Sequence, residues 1–178
     1  MKKLLVLLVA SVFAFAADYA VDTTHSQVEF KIKHLGVSNV KGSFGKFSGN
    51  VSADNGALTA LNGEVEINSI NTNNKNRDEH LLASDYFDAK KFPKAQLKLV
   101  KMNGDKGTFA LTIRGVTKEV SLEVEIFGVT KDERSGNEVI GLSLDGKINR
   151  KDFGIAEGTP NVALGEEVKL TIDIEGRK

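Results

Sequence analysis

Three histidines are the side chains of this sequence best suited to acid–base or metal chemistry, but their spacing does not favour a metal site. His25, His34 and His80 lie far apart along the chain, so no His-x-His or Glu-x-x-His pattern places two ligands on one element. The chain contains no cysteine, which excludes a thiolate nucleophile, a cysteine-ligated metal and a disulfide framework. The sequence therefore predicts no metal centre.

The patterns that support nucleophilic catalysis are also missing from the sequence. His25 and Ser26 are adjacent, and neighbours on a strand point to opposite faces, so they cannot act as base and nucleophile. No Gly-x-Ser-x-Gly elbow occurs. The triplet Asp152-Phe153-Gly154 matches a kinase motif by spelling only, because no glycine-rich phosphate loop accompanies it. We therefore predict no catalytic residues and no enzyme activity.

Three basic side chains could bind the polar head of a ligand. His34 shares the parity of Phe30 and Ile32 at the end of a predicted strand, where it either donates to a head group or bonds a rim carbonyl. Arg77 and His80 lie three residues apart on a predicted helix, on neighbouring faces of one turn. An arginine at such a place is either a phosphate clamp or an exposed, ion-paired side chain, and the sequence leaves both readings open.

The composition and net charge of the chain argue against nucleic acid as a binding partner. The 178 residues include 24 basic and 24 acidic side chains, so no long-range field attracts the chain to nucleic acid. The length suits one domain with one core. With 17 glycines, 2 prolines and 10 phenylalanines, the composition is typical of a globular protein and not of a disordered one.

The first sixteen residues have the three-part pattern of a secretory signal peptide. Met1-Lys2-Lys3 is basic, residues 4–10 are an unbroken apolar run, and Ala14-Phe15-Ala16 places small residues where signal peptidase cleaves. The alternatives are a buried helix and a membrane anchor, but the apolar run is shorter than the ~20 residues needed to span a bilayer. We therefore predict a signal peptide over residues 1–16, a periplasmic protein without stable membrane insertion, and one mature domain over residues 17–178.

Nearly all of the remaining chain alternates between apolar and polar residues with a period of two. Val28, Phe30 and Ile32 share one parity, while charged and polar residues occupy the other, which is typical of a half-buried strand. About eight strands are predicted, near residues 26–34, 40–51, 61–67, 95–99, 109–113, 120–126, 140–144 and 168–174. One apolar face per strand indicates an antiparallel sheet over one interior, either a barrel or a sandwich.

Two long connections interrupt the strands, and function is often carried by such segments on a rigid scaffold. Residues 71–93 contain good helix formers preceded by asparagines that could cap a helix, so a short helix is expected there. Residues 150–165 contain three glycines and a proline, which predict an irregular loop. We expect both segments to act as lids of the barrel mouth.

Three glycines, Gly42, Gly63 and Gly146, fall on the inward parity of their predicted strands. An inward glycine either allows a sharp bend or leaves space inside the barrel. Three of them in a chain without tryptophan favour an interior that admits an apolar guest.

A set of short motifs, in order, resembles the YceI-like polyisoprenoid-binding family. The motifs are Tyr19-Ala20-Val21-Asp22, His25-Ser26, Phe30-Lys31-Ile32-Lys33-His34, Gly42-Ser43-Phe44, Arg77-Asp78-Glu79-His80-Leu81, Phe87-Asp88, Phe92-Pro93, Leu111-Thr112-Ile113-Arg114-Gly115-Val116-Thr117-Lys118 and Arg150-Lys151-Asp152-Phe153-Gly154-Ile155. Each motif is weak alone, but together they cover almost the whole predicted mature chain. The resemblance implies a lipocalin-like barrel with an apolar interior that holds an isoprenoid, a quinone or another lipid-like chain.

We therefore predict an all-β, lipocalin-like, eight-stranded antiparallel β-barrel with a short lid helix. It should bind or carry a polyisoprenoid, quinone or fatty-chain ligand, with no other cofactor, and a homodimer is left open. The predicted ligand-binding residues are Phe30, Ile32, His34, Val40, Phe44, Ile67, Arg77, His80, Leu81, Leu82, Phe87, Phe92, Leu97, Phe109 and Phe153.

Two other functions compete with this prediction. The first is an enzyme in which His34, Arg77, Asp78 or His80 performs acid–base chemistry on a bound head group. The second is a secreted stress-protective or interaction module whose cavity is incidental.

Overall fold

The structure, a computed structural model, describes residues 17–178, so the predicted signal peptide lies outside the described residues. The strands are β1 (Ala17–Val21), β2 (Gln27–His34), β3 (Ser38–Phe44), β4 (Phe47–Asp54), β5 (Ala57–Glu66), β6 (Ile70–Asn71), β7 (Lys94–Asn103), β8 (Lys106–Ile113), β9 (Val116–Lys131), β10 (Glu138–Asn149) and β11 (Leu164–Arg177). The α-helix is α1 (Lys75–Leu81), and the two short 3-10 helices are Ile67–Ser69 and Arg150–Phe153.

These strands form one antiparallel sheet that closes into an eight-stranded barrel, because three barrel strands are each broken into two segments. Both β1 and β2 pair with the same edge of β11 and follow one another along it. Next to them, β4 pairs with β1 and β3 pairs with β2. In turn, β5 pairs with β4 and β6 pairs with β3. With β7 to β11 these composite strands complete the ring, which confirms the predicted fold.

The two-residue alternation of the sequence does not show where the strands are broken. The stretch from Val40 to Val51, predicted as one strand, is β3 and β4 separated at Gly45 and Lys46. The amides of these two residues leave the ladder and donate to the carbonyl and hydroxyl oxygens of Ser69, each at 3.0 Å. The two shortest strands, β1 and β6, were not predicted, because five and two residues are too few for a period to emerge.

The interior of the barrel is filled at one end only. We call the end that contains the turns after β4, β7 and β9 the packed end; there Val51, Phe109, Ile140 and Leu142 are completely buried. The opposite end, which we call the open end, contains the β2–β3 turn, α1 and the loop before β11. Any ligand-sized space must therefore lie in the open half.

The ring closes where β1 meets β11 through only two residue pairs, and this seam is reinforced by ion pairs. The guanidinium of Arg177 lies 2.7 Å from carboxylate oxygens of both Asp22 and Glu175 and 3.2 Å from Asp132. The ring of His25 lies 3.0 Å from Asp22. One arginine thus joins β11 to the residues that follow β1 and β9.

The carboxylates at the seam have lowered pKa values. Hydrogen bonds from His25 and from the Thr24 amide lower the pKa of Asp22 to about 2. The Ser135 hydroxyl and the Arg134 amide lower the pKa of Asp132 to about 2 as well. Because an aspartate in an unfolded chain has a pKa of about 3.9, this stabilisation is complete above about pH 4 and is lost as the pH falls toward about 2.

Replacing Asp22 and Asp132 by asparagine should therefore lower the free energy of unfolding at pH 7. It should also make this free energy fall less steeply as the pH decreases. The measurement is the free energy of unfolding in urea, followed by circular dichroism from pH 7 to about pH 2. Asp105→Asn is the control, because Asp105 is exposed and has no ion pair within residues 17–178. A double variant that loses stability between about pH 4 and 2 as steeply as the wild type would contradict this prediction.

Candidate ligand-binding cavity

The open half of the barrel encloses a cavity of about 390 Å³, a volume within the range of small-molecule pockets. Apolar side chains from most of the barrel strands line it. They include Val28, Phe30, Ile32, Val40, Phe44, Val65, Leu97, Leu111, Ile113, Val168, Leu170 and Ile172. Several of them, such as Phe30, Phe44 and Val168, point inward yet are only half-buried, because they face the cavity instead of a packed core.

Aromatic rings form one wall of this cavity. The ring centroid of Phe44 lies 5.9 Å from that of Phe30 and 6.1 Å from that of Phe87, the second pair edge-to-face. Gly42 faces Phe30 across the β2–β3 ladder, and a Cβ at Gly42 would lie 2.4 Å from that ring. The glycine therefore makes room for the aromatic wall.

The other two inward glycines behave differently from one another. A Cβ at Gly146 would lie 2.4 Å from the side chain of Leu122, so that space is already filled. Gly63 lines the cavity, and the nearest atom to its missing Cβ is the Ser48 carbonyl oxygen at 3.8 Å. Only Gly63 adds space for a guest.

Arg77 stands at the mouth of the cavity in a fixed orientation. The side chain of Asn74 caps α1 by accepting from the Arg77 amide. The Arg77 Nε and Nη2 donate at 2.8 Å to the hydroxyl and carbonyl oxygens of Thr72, whose hydroxyl in turn donates to Asp78. Within residues 17–178 the guanidinium has no ion pair and its Nη1 donates to no protein atom. Arg77 is thus half-buried with a donor left for a ligand, and is not the exposed, ion-paired side chain that the sequence also allowed.

The two histidines predicted at the mouth lie there as well, and both line the cavity. His80 is exposed, with Nε2 3.9 Å from Asp85 and its ring centroid 4.7 Å from that of Tyr86. His34 is the exposed last residue of β2. The three polar residues chosen from the sequence therefore come together at one opening.

Arg150 lines the cavity but was not among the binding residues predicted from the sequence. Its side chain is 1% exposed, lines the cavity and has no carboxylate partner within residues 17–178. Its guanidinium donates to five backbone carbonyl oxygens at 2.5 to 3.0 Å, those of Ile155, Ala156, Thr159, Leu164 and Gly165. Burial lowers the pKa of Arg150 from its ordinary value. Its sequence signals are its place at the head of the motif Arg150-Lys151-Asp152-Phe153-Gly154-Ile155 and its position at the start of a glycine-rich loop.

The two long connections meet at the open end through backbone contacts. The Ala156 amide donates to the Asp85 carbonyl at 2.7 Å, and Arg114 donates to the Tyr86 carbonyl. The first bond joins the segment that contains α1 to the loop before β11, and the second joins it to the turn between β8 and β9. The mouth is therefore bordered by a connected rim.

Ten of the predicted binding residues line the cavity and five do not. Those on the lining are Phe30, Ile32, His34, Val40, Phe44, Arg77, His80, Leu81, Phe87 and Leu97. The sequence-based choice was wrong for Phe109, which is fully buried at the packed end, because alternation gives the face of a strand but not the end of the barrel. It also left out Val168, Leu170 and Ile172, although their inward parity was visible.

The other four corrections concern the connections. Ile67 and Phe153, each 1% exposed, are buried in the two 3-10 helices. Phe92 packs over Gly115, where a Cβ would lie 2.8 Å from its ring, and Leu82 ends α1 without reaching the lining. A period of two does not apply in such segments, so the sequence did not show which side chains turn inward.

Two further observations concern metal binding and the crossing of a membrane. Ligand atoms of Asp22, His25 and Glu175 lie within 4.8 Å of one another, but Arg177 binds both carboxylates of this group. Within residues 17–178, no helix has the length and apolar character required to cross a membrane.

Comparisons of sequence and of structure point to the same protein family. The family model described as the YceI-like domain matches residues 19–176. A UPF0312 protein of Staphylococcus aureus is 38% identical over 164 residues, which cover 89% of this chain and 96% of that protein. The crystal structure of a Campylobacter jejuni YceI protein superposes with a TM-score of 0.74 at 36% identity, covering 100% of this chain and 99% of that one.

A more distant structure shares the same fold. It is described as a polyisoprenoid binding domain from Saccharophagus degradans implicated in plant cell wall breakdown. The TM-score is 0.69 at 16% identity, and the match covers 89% of this chain and 97% of that one.

Replacing Arg150 by methionine should destabilise the protein by about 3–5 kcal/mol, because several buried carbonyl oxygens lose their donor. Urea unfolding measures the loss, and limited proteolysis within residues 154–163 tests whether the loop opens. Lys151→Met is the matched control at the next position, which is half-exposed. Equal stability and equal proteolysis of the Arg150 variant and the control would show that the five carbonyl contacts do not stabilise the loop.

Proposed function

Since this chain belongs to the YceI-like family, we propose that it binds a long lipid-like molecule, such as a polyisoprenoid or the tail of a quinone, inside its barrel. The observation that supports this most directly is the apolar cavity of about 390 Å³ with its half-buried inward side chains. The description of the Saccharophagus degradans protein as a polyisoprenoid binding domain is consistent with such a ligand.

The energetics favour an apolar chain as the occupant. A prenyl unit has five carbons, so at ~0.8 kcal/mol per buried carbon group each unit gains about 4 kcal/mol on leaving water. An apolar wall supplies this affinity without directional contacts, so tail length and shape are selected loosely. The carrier role that we propose follows, because such a chain crosses an aqueous compartment only when it is shielded.

The cavity opens at one end of the barrel only, and this determines the orientation of the ligand. The packed end, where Phe109 and Leu142 are completely buried, blocks passage through the barrel. The tail therefore points inward, and the polar head stays at the mouth beside Arg77, His34 and His80. The free donor of Arg77 suits a phosphate or a carbonyl head group.

The cavity supports binding better than catalysis. The hydroxyl of Ser26, which lines the cavity, already makes two hydrogen bonds to the backbone of Glu175. It donates to the Glu175 carbonyl oxygen and accepts from the Glu175 amide. The hydroxyl beside Arg77 is that of Thr72, which is buried, donates to Asp78 and does not line the cavity. We also propose that the protein is exported to the periplasm, which rests on residues 1–16 alone.

Replacing Phe44 by aspartate should abolish retention of the ligand, because an unpaired charge in an apolar cavity costs several kcal/mol. Native mass spectrometry of protein purified without detergent, followed by solvent extraction, measures the bound lipid. Phe127→Asp is the control, because Phe127 is exposed on β9 near the packed end. Ala95→Phe, which fills the lining without adding charge, provides a second variant should Phe44→Asp not fold. A folded variant at either position that retains the ligand at wild-type occupancy would place the ligand elsewhere.

The role of Arg77 can be separated from that of the apolar wall. Arg77→Ala should weaken retention of a polyprenyl phosphate by about tenfold while leaving the matching polyprenol unchanged, because only the phosphate accepts paired, charge-assisted hydrogen bonds. Lys75→Ala is the control, since Lys75 is exposed on the same helix. Equal losses for phosphate and alcohol would mean that Arg77 stabilises the rim and does not recognise the head.

A further inference from the structure

Three exposed apolar side chains border the mouth of the cavity. Leu35 is 56% exposed, Val37 87% and Val162 76%, and we call these three residues the apolar rim. The Leu35 amide donates to the Ala163 carbonyl at 3.0 Å, which joins the β2–β3 turn to the loop before β11. The apolar rim thus stands on two neighbouring segments of the open end, since Ala163 directly follows Val162.

The apolar rim is continuous with the cavity. His34 and Leu164, which pair across the β2–β11 ladder, both line the cavity, and each stands next to a segment that carries the rim. The apolar rim therefore adjoins the lining of the cavity at His34 and Leu164.

The turn that carries Leu35 is made by a residue poorly suited to it. Leu35 and Gly36 have φ values of 51° and 70°, and the β4–β5 turn repeats this geometry with Asn55 at 49° and Gly56 at 79°. Asparagine and glycine tolerate the left-handed region, whereas leucine does so at a cost. The turn at the packed end thus has the favourable residue, while the turn at the mouth has an exposed leucine in its place.

Lysines form a row on the outer wall below the apolar rim. Lys147 pairs with Lys169, Lys169 with Lys31, and Lys31 with Lys41 across four adjacent strands. We call these four residues the lysine row. Like charges directly opposite one another destabilise a sheet, so this arrangement has no structural benefit of its own.

Part of the lysine row remains uncompensated. Lys147 and Lys169 are paired with Glu167 and Asp145 at 2.9 Å. In the described part of the chain, neither Lys31 nor Lys41 has a carboxylate within 4.0 Å, and the same holds for Lys33, which lies closer to the mouth. The uncompensated lysines therefore lie on β2 and β3, the two strands that lead to the apolar rim.

We propose that the apolar rim and these lysines dock the open end of the barrel on an anionic lipid bilayer. At about 3.3 Å per residue, Lys33 lies about 7 Å and Lys31 about 13 Å along the strand from Leu35. Apolar groups that insert about 5–10 Å into a membrane interface would place Lys33, Lys31 and Lys41 within reach of the head groups. If the proposed function holds, the ligand then passes between membrane and cavity without entering water.

A second copy of this chain fits the surface less well. A stable dimer buries about 800 Å² on each partner, far more than three small aliphatic side chains supply. A two-fold interface on this face would also place the uncompensated lysines of both copies close together. An anionic bilayer satisfies both the apolar and the positive parts of the surface.

Vesicle flotation tests this docking directly. The wild-type protein should float with vesicles of phosphatidylglycerol and phosphatidylethanolamine and not with vesicles of phosphatidylcholine. Val37→Ser with Val162→Ser, or Lys31→Gln with Lys33→Gln and Lys41→Gln, should each lower the bound fraction more than about tenfold. Phe127→Ser with Val129→Ser, exposed apolar positions toward the packed end, should bind as the wild type does.

Leu35→Asn separates docking from folding. Because asparagine suits the left-handed turn, this variant should unfold at a temperature equal to or above that of the wild type, yet bind the anionic vesicles less well. Unchanged vesicle binding in Leu35→Asn and in the Val37 and Val162 variant would overturn the proposal. A change from dimer to monomer in the rim variants, seen by light scattering, would also overturn it, since the patch would then join two copies.

Native mass spectrometry of the same variants distinguishes this proposal from the proposed function. The rim and lysine variants should keep the bound ligand, since none of the substituted side chains lines the cavity. A wild-type protein that retains ligand but does not bind anionic vesicles contradicts docking alone. A protein that binds these vesicles without ever retaining a ligand contradicts the proposed function and leaves docking supported.

Discussion

Arg150 lies beneath the loop that leads into β11, and its guanidinium donates to three carbonyl oxygens of that loop and to those of Leu164 and Gly165, the first two residues of β11. A loop that turns back over an apolar interior has carbonyl groups that neither the sheet nor bulk water can pair. The planar guanidinium, with five donors, satisfies them with one side chain. Leu164, which lines the cavity, and Ala163, which holds the β2–β3 turn, both take their positions from this loop. The shape of the mouth therefore depends on one buried cation.

The unequal filling of the barrel explains how a stable fold coexists with a cavity. The packed end holds completely buried side chains from different strands, such as Val51 and Leu142, and supplies the hydrophobic core. In the open half, Phe30, Phe44 and Val168 are only half-buried. The packing that these side chains lack is offset by the buried side chains of the packed end. Stability and ligand binding are thus assigned to different halves of the same strands.

Much of the fold could be predicted from the sequence, because alternation is a local property of each strand. The inward parity of Phe30, Ile32 and Leu97 was enough to place them on the lining. The same parity also pointed to Phe109, which is core, since nothing local distinguishes the packed end of a strand from the open end. Arg150 was missed for a similar reason, as its partners are carbonyl groups whose positions follow only from the complete ring.

The seam between β1 and β11 has a consequence for how the chain folds. Its two residue pairs join Ala20 to Arg177 and Val21 to Gly176, which are close to opposite ends of the described chain. Contacts of such high sequence separation form late and slow the folding of β proteins. Until they form, β1 and the part of β11 beyond its pairing with β2 each present an unpaired edge, and either edge is able to accept the complementary strand of another molecule. Exchange of the terminal strands between two copies is thus the misassembly to which this topology is most exposed.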